Sequence, residues 1–212
     1  RKSIFYSLIT LVLLAPVILF ITYYTQTSSA ESKAVVTKTV GKELANFVDS
    51  TSVDFENALQ ISGKSAVVAL VSQVVSNGVP VDDAQAALSS LALNSSYQGV
   101  YYSVLENTSL DRWQQKVESE GNAFGLNVSI TVLSANVTHL DSFNLLFTAS
   151  ASVNASFSAY DIKLFKNYNT STIVSILGVE DPLYALRTNG LLERSLVSAP
   201  FPHSVSEVDN AV

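Results

Sequence analysis

The residues of this chain best placed to undergo chemistry are asparagines. The acceptor pattern for an N-linked sugar, N-x-[ST], occurs at Asn94, Asn107, Asn127, Asn136, Asn154 and Asn169. Each tripeptide is a weak signal in a chain rich in Ser and Thr. The distribution carries more, because all six follow residue 78 and none lies in residues 4–78. That pattern fits a protein whose later part is outside the cell and carries N-linked glycans; no other cofactor is expected. For Asn127 and Asn154, which fall in strand-like sequence, the plainer reading is an outward-facing polar residue.

Other chemistry finds no constellation. His139 and His203 are the two histidines and lie far apart; Asp141 follows His139 by two, a spacing more often found in a turn. The carboxylate pairs Asp82-Asp83, Glu118/Glu120 and Glu180-Asp181 read as a helix end, a solvated face and a turn opening. The motifs H-E-x-x-H, G-x-S-x-G, the P-loop and G-x-G-x-x-G are all absent. With no Cys, disulfides and thiolate chemistry are excluded. No cluster offers a metal three or four converging ligands. The expectation is a protein that is not an enzyme, with no catalytic and no metal site. Among 212 residues only 14% are charged and the net charge is -6, so no basic face exists for nucleic acid.

The element that positions everything else is the charge-free run over residues 4–24, IFYSLITLVLLAPVILFITYY. As a helix it spans about 30 Å, the thickness of a bilayer's hydrocarbon core. Arg1 and Lys2 precede it and set its start on the cytoplasmic side; Tyr23 and Tyr24 suit the outer interface. The run is longer than the apolar region of a signal peptide and reads as retained. Pro16 in its middle removes one backbone donor and predicts a kink or a local loosening. Residues 25–33 are a polar exit, either a short break or a continuing helix.

A helical period returns from residue 34 through Val36, Val40, Leu44, Phe47, Phe55, Leu59, Ala66, Leu70 and Val74. Gly78 is placed as the left-handed residue that stops it. Its single apolar stripe needs one partner surface, either the chain's own head or a neighbouring subunit. Gly63 marks a kink or a close backbone approach. Asp82 is expected to cap a short helix, with Gln85 set for a capping box. Residues 97–105 are ambiguous between strand and loop. A third helix carries Leu110, Trp113 and Val117, with Trp113 as a core anchor. After Leu126 the period becomes two, predicting four successive strands with a turn near Asn167 and one face on the helices. Residues 198–212 read as a loose tail or a docking arm.

The fold class expected is therefore α+β. An N-terminal apolar transmembrane or filament-core helix (1–33) continues into a long amphipathic helix (34–78). An extracellular head with short helices and an antiparallel β-meander follows (79–197), then the tail (198–212).

This outline resembles an archaeal type IV pilin-like protein, of the archaellin and pilin type. The likeness rests on RKSIFYSLITLVLLAPVILFITYYT by character and on the remainder by architecture; the run GVEDPLYALRTNG (178–190) resembles archaeal surface proteins as well. Where bacterial-type pilins usually carry a glutamate near position 5, this chain has Phe5. The resemblance implies removal of a short basic leader by a dedicated peptidase, in keeping with the absence of Met. It also implies a structural subunit of an extracellular filament, a homopolymer built by packing apolar N-terminal helices, with the membrane as partner before assembly. Leu11, Val12, Leu14, Pro16, Val17, Ile18, Phe20 and Ile21 would lie in the filament core or the membrane. Ser7, Thr10 and Thr22 would bond to neighbouring backbones. The alternative is a single-pass, membrane-anchored surface protein or adhesin of the cell envelope.

Overall fold

The apolar run, the polar exit and the amphipathic segment form one helix. In the computed structural model, which describes residues 2–190 and 192–198 (for residues 2–13, 15 and 27–32 the backbone alone), α1 runs unbroken over Lys2–Asn77. At the standard rise its 76 residues extend about 115 Å. The helix continues through Pro16, and the polar exit is helical. Hydroxyls along it donate back to the preceding turn: Thr22 to the Ile18 carbonyl at 2.8 Å, Thr25 to Ile21 at 2.9 Å and Thr37 to Lys33 at 2.8 Å. Such bonds let Ser and Thr sit in a long helix without an outside partner. Thr22 is thus committed to its own helix, whereas the side chains of Ser7 and Thr10 lie outside the described residues. Gly78 ends the helix as expected, at φ +67, with its N–H on the Val74 carbonyl at 3.0 Å.

The head follows. Helix α2 spans Ala84–Asn94 and is capped by Asp83 rather than Asp82: the Asp83 carboxylate accepts the Ala86 N–H at 2.9 Å. The adjacent carboxylates are alike in type, and only the backbone path decides which one faces the first turn. The ambiguous segment resolves into a two-rung hairpin, β1 (Ser96–Tyr97) and β2 (Val100–Tyr101), then a 3-10 turn over Ser103–Leu105. Gln98 and Gly99 both take positive φ, the requirement of a tight primed turn. Helix α3 spans Leu110–Ala123.

Three long antiparallel strands complete the head: β3 (Asn127–Asp141), β4 (Asn144–Phe157) and β5 (Ile162–Ser175), in the order β3-β4-β5. Four strands were expected. The two alternating segments of β4 are one continuous strand, and β5 passes straight through Asn167 because its ladder to β4 is unbroken there. A bulge in β3 between Val132 and Ser134 shifts the alternation by one. Inward positions are therefore Val128 and Ile130 before it and Val137 after it. Helix α4 (Pro182–Thr188), capped by Asp181, is the last helix among the described residues, and its flanks are tied together by the Glu180–Ser195 bridge. The predicted tail lies outside the described residues from 199 onward.

One face of the sheet is dry. Helix α1 crosses β4 and β5, while α2 and α3 lie over β3. The core joins Leu44, Val48, Phe55, Leu59, Ala66 and Leu70 of α1 to Phe147, Ala149, Ala151, Val153 and Ala155 of β4. Small residues on β4 bring α1 close, and Gly63 is the closest approach. A Cβ there would sit 3.1 Å from the Phe147 ring, so this glycine serves proximity. Gly121 does the same for α3 against Val128. Two buried hydroxyls are paired across elements: Ser62 donates to the Ala92 carbonyl at 2.5 Å and Ser95 to the Leu105 carbonyl at 2.9 Å. Trp113, expected as a core anchor, is half-buried at the α1–α3 border and packs against the core. Its ring centroid lies 5.0 Å from that of Phe55, and its N–H donates to Asp54 at 2.7 Å.

Candidate functional site

Two surfaces stand apart from the core: the N-terminal part of α1 and the far face of the sheet. On α1, the first fully buried side chain among the described residues is Leu44. Before it, Leu14, Pro16, Val17, Ile18, Phe20 and Ile21 are all exposed, Phe20 at 69%. Phe20 and Tyr24 stack on each other, with centroids 6.4 Å apart. The side chains of Leu11 and Val12 lie outside the described residues. Among the described residues no part of the head covers this segment, and its described apolar side chains are exposed around the helix. Val36 is exposed too and Val40 half-buried, so the amphipathic stripe is fully buried only from Leu44 onward.

Among the described residues, Lys33–Asn77 contains a window apolar enough to cross a membrane, with mean hydropathy 1.4. The same stretch carries the Leu44–Leu70 face that packs in the core of the head.

The sheet's far face follows from register. Residues directly opposite one another share a face. The uncovered rows are Asn127–Ser156–Lys163, Ser129–Asn154–Phe165, Thr131–Ser152–Asn167, Ser134–Ser150–Asn169, Asn136–Thr148–Ser171 and Thr138–Leu146–Ile173. Within these rows Lys163 is the sole charged side chain. The others are chiefly Ser, Thr and Asn, with Phe165 and Ile173 as exposed apolar residues. A shallow concavity of ≈ 400 Å³ lies across Ser134, Thr148, Ser150, Asn169 and Ser171.

All six sequon asparagines are exposed. Asn127, Asn136, Asn154 and Asn169 come together on this one sheet face. Asn94 ends α2, where its side-chain oxygen accepts from the Ser96 N–H at 3.1 Å and the Ser96 hydroxyl at 2.9 Å. Asn107 lies in the turn before α3, at the rim of a ≈ 320 Å³ groove between α1 and α3 that also borders Trp113. Period two predicts that Asn127 and Asn154 point outward, but their convergence with Asn136 and Asn169 depends on pairing. Phe165, directly opposite Asn154, was invisible as a site residue in sequence because its partner is on another strand.

The titratable groups with displaced pKa values are structural. Burial, and secondarily the Asp49 charge, pushes the Tyr168 phenol up to about 12; its hydroxyl donates to the Val48 carbonyl at 2.5 Å and locks β5 to α1. Asp141 is held below the usual carboxylate range by the Asn144 side chain and the Phe143 N–H, in the β3–β4 turn. Burial raises the Tyr102 phenol, helped by Tyr97.

Compared with known proteins, the chain matches no family model, no curated protein and no solved structure.

Proposed function

We propose that this chain is a structural subunit of an extracellular type IV pilus-like filament, assembled by packing the apolar N-terminal ends of α1. Before assembly that segment lies in the membrane with its N-terminus inside, and the head stands outside carrying N-linked sugars. One observation carries the reading: α1 is a single helix whose distal part is locked into the head, while its described side chains between Leu14 and Tyr24 are apolar and uncovered. Water is a poor solvent for such a surface, since each Å² of apolar area removed from it contributes roughly 25 cal/mol. Lipid or the same segment of other copies can cover it. The unbroken helix makes the head and the apolar segment one lever, so stacking the segments fixes the positions of the heads. A repeated heterologous contact of this kind generates an open helix.

The test is electron microscopy of material sheared from the cells that make the protein, with mass spectrometry of the same fraction. Regular filaments composed of this chain are expected. Recovery only as detergent-dependent single particles would replace this reading with the membrane-anchored surface protein.

A further inference from the structure

The uncovered sheet face presents sequons on extended backbone. In a strand, residues two apart lie on the same side. Each sequon's hydroxyl therefore shares the face of its asparagine: Ser129 with Asn127, Thr138 with Asn136, Ser156 with Asn154 and Ser171 with Asn169.

Register also fixes the spacing of the four. Asn127 pairs with Ser156 and Ser129 with Asn154, so Asn127 and Asn154 are diagonal neighbours, with roots roughly 7–8 Å apart. Two branched sugar chains rooted that closely compete for one volume. The other sites are well separated. By strand spacing and rise, Asn136 and Asn169 are about 12 Å apart, and Asn154 and Asn169 about 14 Å.

The neighbours break the tie within the crowded pair. Directly opposite Asn154 is Phe165, 65% exposed in an otherwise polar row. The C–H face of a sugar ring can pack on the negative face of an aromatic ring, and doing so covers apolar surface. Opposite Asn127 are Ser156 and then Lys163, which offer no such platform.

We propose that the uncovered sheet face is the sugar-bearing face of the head, with glycans at Asn136, Asn154 and Asn169, and that Asn154 excludes Asn127 because its first sugar seats on Phe165. This rests on the placement of the head outside the cell. The co-reactant is a lipid-linked oligosaccharide phosphate. The Asn Nδ2 forms a bond to the anomeric carbon, the bond from that carbon to the phosphate oxygen breaks, the lipid phosphate leaves with the electron pair, and the amide proton passes to a base on the transferase. The coat then leaves α1 as the uncovered surface open to contact between copies.

The experiment is glycopeptide and intact-mass spectrometry, with thermal melts, of the full chain from the cells that make it, as wild type, as N127Q, N154Q and F165S, and as the N154Q and F165S double variant. Sugar is expected at Asn136, Asn154 and Asn169, with Asn127 bare in any molecule glycosylated at Asn154. N127Q should leave the intact glycan complement unchanged. F165S should lower the unfolding midpoint by about 2 °C in glycosylated protein and leave it unmoved in the N154Q background. Molecules carrying sugar at both Asn127 and Asn154, sugar at Asn127 in preference to Asn154, or bare Asn136, Asn154 and Asn169 would overturn the inference. Electron microscopy of the same fractions separates the two proposals. Bare filaments defeat this one and leave the filament standing, whereas glycosylated single particles do the reverse.

Discussion

Residues 14–39 and 44–70 are parts of one helix, yet they are built for different neighbours. The distal part carries a stripe (Leu44, Val48, Phe55, Leu59, Ala66) with Asp49, Asp54, Glu56 and Lys64 on its other faces, and the sheet covers that stripe. It also has the fine adjustments of a fixed interface. Gly63 admits Phe147, Ser62 bonds to Ala92, and the Lys166 ammonium meets the Asp49 carboxylate at 2.7 Å. The proximal part from Leu14 to Tyr24 has no polar face among its described side chains, and the Thr22 hydroxyl turns back on its own helix. A helix that is apolar all round belongs among lipids or like helices. The difference teaches that hydrophobicity alone does not mark a core; the presence of a polar face opposite does.

The largest effect that can break this contrast is a charge in the proximal part. Leu14→Glu or Ile18→Lys should abolish assembly and leave the unfolding midpoint of the head unchanged, as read by electron microscopy and thermal melts in detergent. Normal filaments from either variant would remove the proximal segment from the filament core.

Matched phenylalanine truncations sharpen it. Phe55→Ala should cost about 3–5 kcal/mol in urea unfolding, because Phe55 is 0% exposed and supports Trp113. Phe20→Ala removes the same atoms and should leave head stability untouched; equal losses would contradict the division of α1.

Close approach in the head gives the next effect. A Cβ on Gly121 would lie 2.5 Å from Val128 Cγ2, so Gly121→Val should destabilise by about 1–3 kcal/mol. A urea midpoint unmoved by this substitution would mean that α3 is not seated on β3 as described.

The α1–β5 contact should weaken in alkali. The Tyr168 phenol titrates at about 12 in the folded chain, above about 10 for a free tyrosine. Its contribution is therefore complete below pH 10 and lost as pH rises through 12. Tyr168→Phe should remove that part of the pH dependence at the expense of about 1 kcal/mol for the lost bond to Val48. An unchanged alkaline slope in denaturant melts would show that another group controls it.

The smallest effect is at Gly41, just before the covered part begins, where an added Cβ meets nothing within 4 Å. Gly41→Ala should stabilise the helix by about 0.5–1 kcal/mol. A loss of stability in the monomer instead would reveal a contact of the head with this turn.

Much of this was legible in residue order because it is local. The charge-free run, the stop at Gly78, the short helix before Asn94 and the change to period two after Leu126 are each written in neighbouring side chains. What failed was also local grammar at its limit. Asp82 and Asp83 are equally good caps by type, and a strand of 14 residues such as β4 reads as two when its middle inward positions are the small residues Ala149 and Ala151. The bulge after Val132 is silent in sequence, yet it decides that Val137 rather than Thr138 points inward.

The sequence by itself determined that the chain has an apolar helical end, a mixed α and β head and sequon asparagines confined to the head, because helix and strand periods and tripeptide motifs depend only on nearby residues. Tertiary structure alone decided where α1 passes from uncovered to buried and that Gly63 serves contact with Phe147. It also decided that Asn127, Asn136, Asn154 and Asn169 share one face, with Phe165 beside Asn154. These are pairings between residues distant along the chain, fixed by strand register and by which helix reaches the sheet, and no local pattern encodes them.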